Sequence, residues 1–348
     1  MTTDQQPRLI AEWEPQDAIL LTWPHDRTDW AGLLPEVTRV YEALLLALCR
    51  HGDVVIAARE DMAADLARHL GTLGVDPECL HIHPAAYNDT WTRDHGPITV
   101  ETGQGLCLLD YTFNGWGNKF DAALDNALTA ALYARGAFPG AHYREMDFVL
   151  EGGSIETDGK GTLLTTARCL LHPNRNPGLG RGGIEERLRA DLDITRFHWL
   201  EHGYLEGDDT DAHIDTLARF CPGDIIAYQG CDDTGDSHYQ EFAAMERELQ
   251  ALTGPGGKPY TLIALPWPVP RYNGNGARLP LSYANFLIFN KAVFVPLYKD
   301  TQDGTALEQI SRAFPGYTVE GVNCLPLVTQ HGSLHCVTMQ LPRGVIKP

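Results

Sequence analysis

The sequence predicts an α/β protein assembled from repeated units of paired strands plus one helix. Three observations carry this. The 348 residues are 43% hydrophobic and 21% charged, a globular composition with enough apolar side chains for a substantial core. Apolar runs of strand length alternate with helix-period segments along the chain. No long Gly/Ser or Pro linker divides them, so residues 1–348 read as one domain rather than two independent ones.

The elements follow in order. Ala18 to Trp23 reads as a strand, and Pro35 to Arg50 as a helix whose proline sits where a missing amide donor is tolerated. Asp53 to Ala57 is a strand, Asp61 to Thr72 a helix and Cys79 to His83 a strand. Ile98 to Val100 and Leu106 to Asp110 form a hairpin around the turn Thr102 to Gly105, and Asp121 to Arg135 is an Ala- and Leu-rich helix. Phe148 to Leu150, Ser154 to Thr157 and Leu163 to Thr166 are short strands, with Asp158-Gly159 in a turn. The rhythm continues with a helix at Ile184 to Asp191, extended runs at Arg196 to Leu200 and Asp224 to Tyr228, and a helix at Tyr239 to Leu252. Strands at Tyr260 to Leu265, Asn285 to Asn290 and Val293 to Leu297, a helix at Gly304 to Phe314, and extended stretches at Tyr317 to Val322 and Leu334 to Gln340 complete it. Four or five units can be counted, and the alternation by itself reads as a doubly wound sheet. The Gly-rich Gly178 to Gly183 does not make that sheet a nucleotide site. Pro173-Asn174-Arg175-Asn176-Pro177 precedes it instead of an apolar strand, so a loop and helix start is the expected structure.

Acidic residues outnumber basic ones 46 to 27, for a formal charge of −19. Such a surface repels nucleic acid and anionic membranes and leaves a cationic small substrate open. No secretory signal precedes Glu14, and the longest aliphatic patch, Ala43 to Cys49, is too short to span a bilayer. The eight cysteines are scattered, with no CxxC pair, so no structural zinc is expected; they read as reduced and mostly buried, and the cytoplasm as the compartment.

Chemistry concentrates in four turn-rich, Gly-flanked places. Asn88 to Pro97 packs two carboxylates, an arginine, a tryptophan and a histidine ahead of a Gly-Pro breaker. Glu151 follows an apolar strand and precedes Gly152-Gly153, where backbone can approach a ligand closely. His213 and Asp215 would share a face of extended backbone, as an acid–base pair, a polar pair, or two metal ligands lacking a third. Cys336 opens the last extended run behind Gly332 and two histidines, and is either a nucleophile that needs a distant base or a core thiol.

Together these stretches closely resemble the agmatine deiminases of bacteria and plants, within the guanidine-modifying group that includes arginine deiminases and bacterial peptidylarginine deiminases. The resemblance runs from about Glu12 to Pro342 through NDTWTRDHGP (88–97), FNGWGNKFDAALDN (113–126), EGGSIETDGKGT (151–162), HPNRNP (172–177), DTDAHIDTLARF (209–220), SYANFLIFN (282–290) and HGSLHCVTMQLP (331–342). It implies a five-bladed α/β propeller (pentein) of ββαβ modules in place of a doubly wound sheet. It implies Cys336 as nucleophile, His213 as proton shuttle kept charged by Glu151 and Asp215, Asp94 and Asp215 as a carboxylate clamp on the guanidinium, and Trp91 and Trp116 as pocket aromatics. The acids are expected to raise the Cys336 pKa until a cation binds. Neither a cofactor nor a metal is implied. Agmatine, hydrolysed to N-carbamoylputrescine and ammonia in putrescine synthesis, is the expected substrate, because the motif blocks hold few free basic residues for a substrate carboxylate, Arg93 and Lys119 being the nearest candidates, and the net charge of −19 favours a cation. The rivals are a deiminase of free or C-terminal peptidyl arginine, an inactive binding protein, and an amidino transferase. A homodimer is the base-rate expectation. Ser333 and Ala212 depart from the family's Gly-rich pattern while leaving the reacting groups in place, and His331 is expected to be a neutral wall residue.

Overall fold

The computed structural model describes residues 6–347. The expected elements are present, but they build five separate small sheets rather than one doubly wound sheet. The first carries Thr338–Pro342, Gln16–Thr22, Asp53–Ala58 and Leu80–Pro84 in that spatial order. The second carries Arg8–Leu9, Ile98–Thr102, Gly105–Thr112 and Ala141–Val149. Three sheets of three strands follow along the chain: Ile155–Thr157, Thr162–Thr166, Arg196–Leu200; then Ala218–Cys221, Ile225–Gln229, Thr261–Leu265; then Leu287–Phe289, Ala292–Leu297, Thr318–Asn323.

Each of these three repeats one logic. Two strands pair antiparallel across a tight turn, a helix follows, and the next strand returns parallel to the second. A parallel return needs a crossover, which the helices Arg181–Leu192, Tyr239–Ala251 and Asp303–Ala313 supply. In the first sheet the antiparallel partner of Gln16–Thr22 is the last strand of the chain, Thr338–Pro342. The residues just ahead of that last strand are therefore brought onto the N-terminal segment.

Helix Leu34–Leu48 shows why the helices sit where they do. Val37, Val40, Tyr41, Leu44, Leu45 and Leu48 are buried, at the three- and four-residue spacing of one helical face, and Pro35 occupies the first turn. Three expectations shift. The helix expected at Asp121 to Arg135 is broken into Ala123–Asn126 and Leu128–Ala134. The short strand at Phe148 to Leu150 is the end of a longer one, Ala141–Val149, whose charged, half-exposed alternation hid it. Ala218–Cys221 is a strand the pattern did not reveal. The Gly178–Gly183 stretch leads into a helix, as expected.

The cysteines need one correction. Cys49 and Cys79 form a disulfide, so not all eight are reduced. Their sequence separation of 30 carries no signal; the end of one helix and the turn before a strand bring their Cα atoms to 5.8 Å. Among the described residues, no helix is long and apolar enough to cross a membrane.

The sheets meet over buried charge. Arg219 is fully buried; its Nη2 donates to Glu12 at 2.7 Å, its Nε to Glu156 at 2.6 Å, and its Nη1 to the Phe286 carbonyl at 2.7 Å. One guanidinium thus ties the N-terminal segment to three sheets. Replacing it by Arg219→Leu would leave two carboxylates buried without their cation. The expected loss is about 3–5 kcal/mol, read from urea unfolding midpoints; a loss under about 1 kcal/mol would mean the cluster is not what joins the sheets.

Candidate active site

Every sheet sends the segment that enters its first central-facing strand to one place. Asp94 lies on the helical turn Thr92–His95 ahead of Ile98–Thr102, and Glu151 ahead of the turn Gly152–Ser154 and strand Ile155–Thr157. His213 and Asp215 precede Ala218–Cys221, Asn285 precedes Leu287–Phe289, and Cys336 precedes Thr338–Pro342. Cys336 is therefore not within the last strand, as the pattern suggested, but in the turn before it. Asn285 fixes that turn. Its Oδ1 accepts from the backbone N–H of His335 at 2.9 Å and of Cys336 at 3.4 Å, and its Nδ2 lies 3.3 Å from the Cys336 sulfur. The Arg93 N–H donates to the Cys336 carbonyl, joining the Asp94 turn to the same segment.

Asp94 is held from both sides. Trp116 Nε1 donates to its Oδ2 at 2.9 Å and the Gly153 N–H to its Oδ1 at 3.0 Å. Trp116 reaches there from a left-handed backbone conformation, φ 55°, between Gly115 and Gly117. The double glycine after Glu151 is a matter of space. A Cβ at Gly153 would lie 2.6 Å from His213 Nδ1 and 2.7 Å from Asp94 Oδ1, and one at Gly332 would lie 2.1 Å from the Trp91 ring.

His213 and Asp215 do reach the site together, but not as alternate residues of a strand. Asp211 and Ala212 both have positive φ, and Ile214–Thr216 forms a helical turn. Asp208 holds this bend by accepting from the N–H groups of Thr210 and Ala212, while Arg175 and Lys119 pair with Asp211. The residue with left-handed backbone in the last motif is His331, not Ser333; Ser333 is buried against the Tyr298 hydroxyl at 2.9 Å. His331 is more than a neutral wall residue: its Nδ1 meets the Gly207 carbonyl and ties the two site loops together.

The charges differ in detail from expectation. His213 Nδ1 lies 3.5 Å from Asp94, whereas Asp215 faces His335 at 2.8 Å and comes within 4.0 Å of the Cys336 sulfur. Burial opposes the His213 charge, but Asp94, the Cys169 sulfur and Glu151 outweigh it and raise its pKa to about 10. Burial raises Asp94 to about 6, with Asp215 and Glu151 adding to the rise and His213 and Trp116 restraining it. Cys336 is raised well above an ordinary thiol by burial, then by Asp215 and Asp94. Glu151, Cys169 and His213 offer ligand atoms within 4.8 Å of one another, the one set of metal-ligand type among the described residues. Both Glu151 oxygens already accept from Arg175 Nε, at 2.9 and 3.0 Å, so a guanidinium fills the place a cation would take.

Above the sulfur opens a cleft of about 320 Å³ lined by Asp29, Asp89, Asp94, Trp91, Trp116, Phe120, Asp208, Asp209, Thr210, Thr216, Gln330, His331, Gly332 and Cys336. None of these is Lys or Arg. Arg93 turns away toward Glu12 and Gln340, and Lys119 is engaged by Asp211 and the Asp209 carbonyl. Sequence reasoning passed over Asn285, Arg175, Cys169, His335 and Glu12. Only Asn285, a lone amide in an apolar run, carried a local sign; the others are recognised by partners far away in the chain.

Comparison with known proteins agrees with this geometry. Residues 8–342 match the family described as Porphyromonas-type peptidyl-arginine deiminase. A Yersinia pseudotuberculosis protein named "Putative agmatine deiminase" is 33% identical over 95% of this chain and 94% of its own. A cysteine-to-serine variant of C. jejuni agmatine deiminase, solved with substrate bound, superposes with a TM-score of 0.89 at 35% identity, covering 98% of each chain. The "Putative Arginine Deiminase" of Porphyromonas gingivalis superposes at 0.92 with 46% identity, over 98% of this chain and 100% of its own. The α/β fold is thus the one these deiminases share, and the chain belongs to the Porphyromonas-type peptidyl-arginine deiminase family, hydrolases that act on guanidino groups.

Proposed function

We propose that this protein is an agmatine deiminase, forming N-carbamoylputrescine and ammonia for putrescine synthesis, and that its five sheets are the blades of one α/β propeller domain. The observation that carries the substrate is the cleft: a thiol at its floor beside two carboxylates, four further aspartates along its walls and mouth, and no Lys or Arg lining it. Agmatine is cationic at both ends and has no carboxylate. Free arginine or a peptide C-terminus would bring an anion into this field with no cation to meet it.

In this reading Asp94 and Asp215 grip the N–H edges of the planar guanidinium. The grip sets the central carbon over Cys336, and alignment of this kind supplies up to about 7–11 kcal/mol in ideal cases. The bound cation lowers the thiol pKa, and the thiol proton leaves to solvent. The thiolate attacks the carbon, the C–N bond to one terminal nitrogen breaks, and protonated His213 gives that nitrogen its proton, so ammonia leaves and a thiouronium remains. His213 then takes a proton from water, whose oxygen bonds to carbon; the adduct collapses with breakage of the C–S bond, its hydroxyl proton passes to the leaving sulfur, and the ureido product and the free thiol result. Trp91 and Trp116 wall the guanidinium. Glu151, held by Arg175, supports the charge on His213.

An assay for ureido product on agmatine, arginine and a peptide ending in arginine is expected to favour agmatine, with Cys336→Ala inactive; preference for arginine would overturn the substrate assignment. Burial also pushes Asp89 up to about 6. Since kcat/KM for a cation needs Asp94 ionised, it should fall with a slope of one as pH drops below about 6, and protonation of Asp89 should add a bounded loss of about 5-fold over the same range. It should fall again toward pH 10 as His213 loses its proton. Asp89→Asn should remove that extra acidic step and raise KM about 5-fold with little change in kcat, the scale of one partly exposed charge pair. Thiolate absorbance of the free protein should develop only at high pH, and at lower pH with a guanidinium analogue bound; a thiolate already present near pH 6 without ligand would rule out ionisation assisted by substrate.

A further inference from the structure

His335 precedes the thiol, and its ring is buried and does not line the cleft. Its Nδ1 lies 2.8 Å from Asp215 Oδ2 and its Nε2 lies 2.7 Å from Glu12 Oε2. Both partners are carboxylates and neither contact is exposed. Glu12 is an ionised acceptor: Arg219 donates to its Oε2 at 2.7 Å, the Ile288 N–H to its Oε1 at 2.7 Å, and Arg93 stands 3.8 Å away. Although burial opposes ionisation, Arg219 and His335 hold its pKa far below the ordinary range. The Glu12 contact therefore places a proton on Nε2. The Asp215 contact asks for a second proton, on Nδ1, because a bare imidazole nitrogen cannot donate to a carboxylate. Counting charge gives the same answer. Glu12 and Asp215 bring two carboxylates and Glu156, which burial pushes up to about 7, a third; Arg93 and Arg219 bring two guanidiniums, and His335 is the group left to balance the set at pH 7.5. Burial, Arg219 and Arg93 push the His335 pKa down, against the pull of Glu12 and Asp215; two short contacts to acceptors decide for the doubly protonated ring.

The consequence falls on Asp215. Its Oδ2 is pinned by His335, while its buried Oδ1 has no hydrogen-bond partner among the described residues. We propose that His335, as an imidazolium bridging Glu12 and Asp215, is a positioning residue that fixes the Asp215 carboxylate so that Oδ1 is presented to the substrate guanidinium. It gives the carboxylate one rotamer and carries that constraint through Glu12 to Arg219 and the junction of the sheets. This rests on the clamp role given above to Asp215, but its first test does not.

That test is 15N NMR of histidine in the free protein, with the His335 signal assigned by its loss in His335→Asn. Both ring nitrogens are expected to be protonated at pH 7.5, and in Glu12→Gln the second proton should be lost at lower pH. An unprotonated ring nitrogen at pH 7.5 in the parent protein overturns the imidazolium whatever the substrate proves to be. The second test is kinetic. His335→Phe is expected to lower kcat/KM about 100-fold, the scale of an ångström of misplacement. It should also move the acidic limb to higher pH, because Asp215 loses the donor that lowers its pKa. His335→Asn, which keeps an N–H on the Asp215 side, should recover part of both. If Phe and Asn lose activity equally, with the pH limb unmoved and only the melting temperature lowered, the role is structural and the proposal fails. If His335→Phe does not fold, the same limb shift is sought in Glu12→Gln, and its absence there counts equally against the proposal. Should the parent protein leave agmatine untouched while the NMR result holds, the substrate assignment fails and the bridge stands.

Discussion

The interaction on which the rest depends is the buried ion cluster around Arg219. Three carboxylates and two guanidiniums removed from water are costly, and their mutual attraction offsets the cost only when every donor finds its acceptor. Here the partners come from far apart in the chain. Glu12 belongs to the N-terminal segment, Glu156 and Arg219 to strands of different sheets, and the Phe286 carbonyl to the entrance of another. A small core cannot be shared smoothly among five narrow sheets, because each has too few strands to bury two broad faces. The charged knot is directional where apolar packing is not, so it sets the relative placement of segments that must later agree to within an ångström.

That agreement is visible one layer up. Cys336, Asn285, Asp215 and Asp94 each sit just ahead of a strand, in a different sheet, where backbone leaves regular pairing and can bend. The bends are tight enough to demand glycine at Gly153 and Gly332, whose Cβ positions are already occupied by other site residues. They also force left-handed backbone on Trp116, Ala212 and His331. Strain of this kind persists only when surrounding bonds over-determine it. Asp208, Lys119 and Arg175 do that for the His213 loop, as the Trp116 indole does for Asp94.

What the sequence shows of this follows from the range of each interaction. Strands and helices depend on neighbours within a few residues, and most were legible; Ala141–Val149 was obscured because its alternation is largely charged. Asp94 and Glu151 were legible because a Gly-Pro breaker or a glycine pair beside them marks a bend, Cys336 because Gly332 and two histidines precede it, and His213 and Asp215 because they form a His-x-Asp pair. The order of the motifs then tied them to one family. Glu12 and His335 were not legible. Glu12 lies in an unremarkable stretch, and its meaning depends on partners at 219, 288 and 335. The Cys49–Cys79 bridge was hidden for the same reason. The pairing of His213 with Asp94 rather than Asp215 could not be read from i, i+2 spacing, since the backbone there is not a strand.

On the proposed reading, the acids that hold a guanidinium also work against the thiol. Burial first, and then Asp215 and Asp94 beside the sulfur, disfavour a free thiolate, which is why Cys336 is raised. Neutral thiols are poor nucleophiles toward stray electrophiles and slow to oxidise, so the empty site is chemically quiet. A planar cation changes the sign of the local field and makes the nucleophile it will meet. On the proposed reading, selectivity then has two layers. The aspartates of the mouth favour a ligand that is cationic at its far end, and the floor becomes reactive only when its near end is cationic too. A ligand with a carboxylate fails at the first layer and a neutral amine at the second, without either being excluded by size.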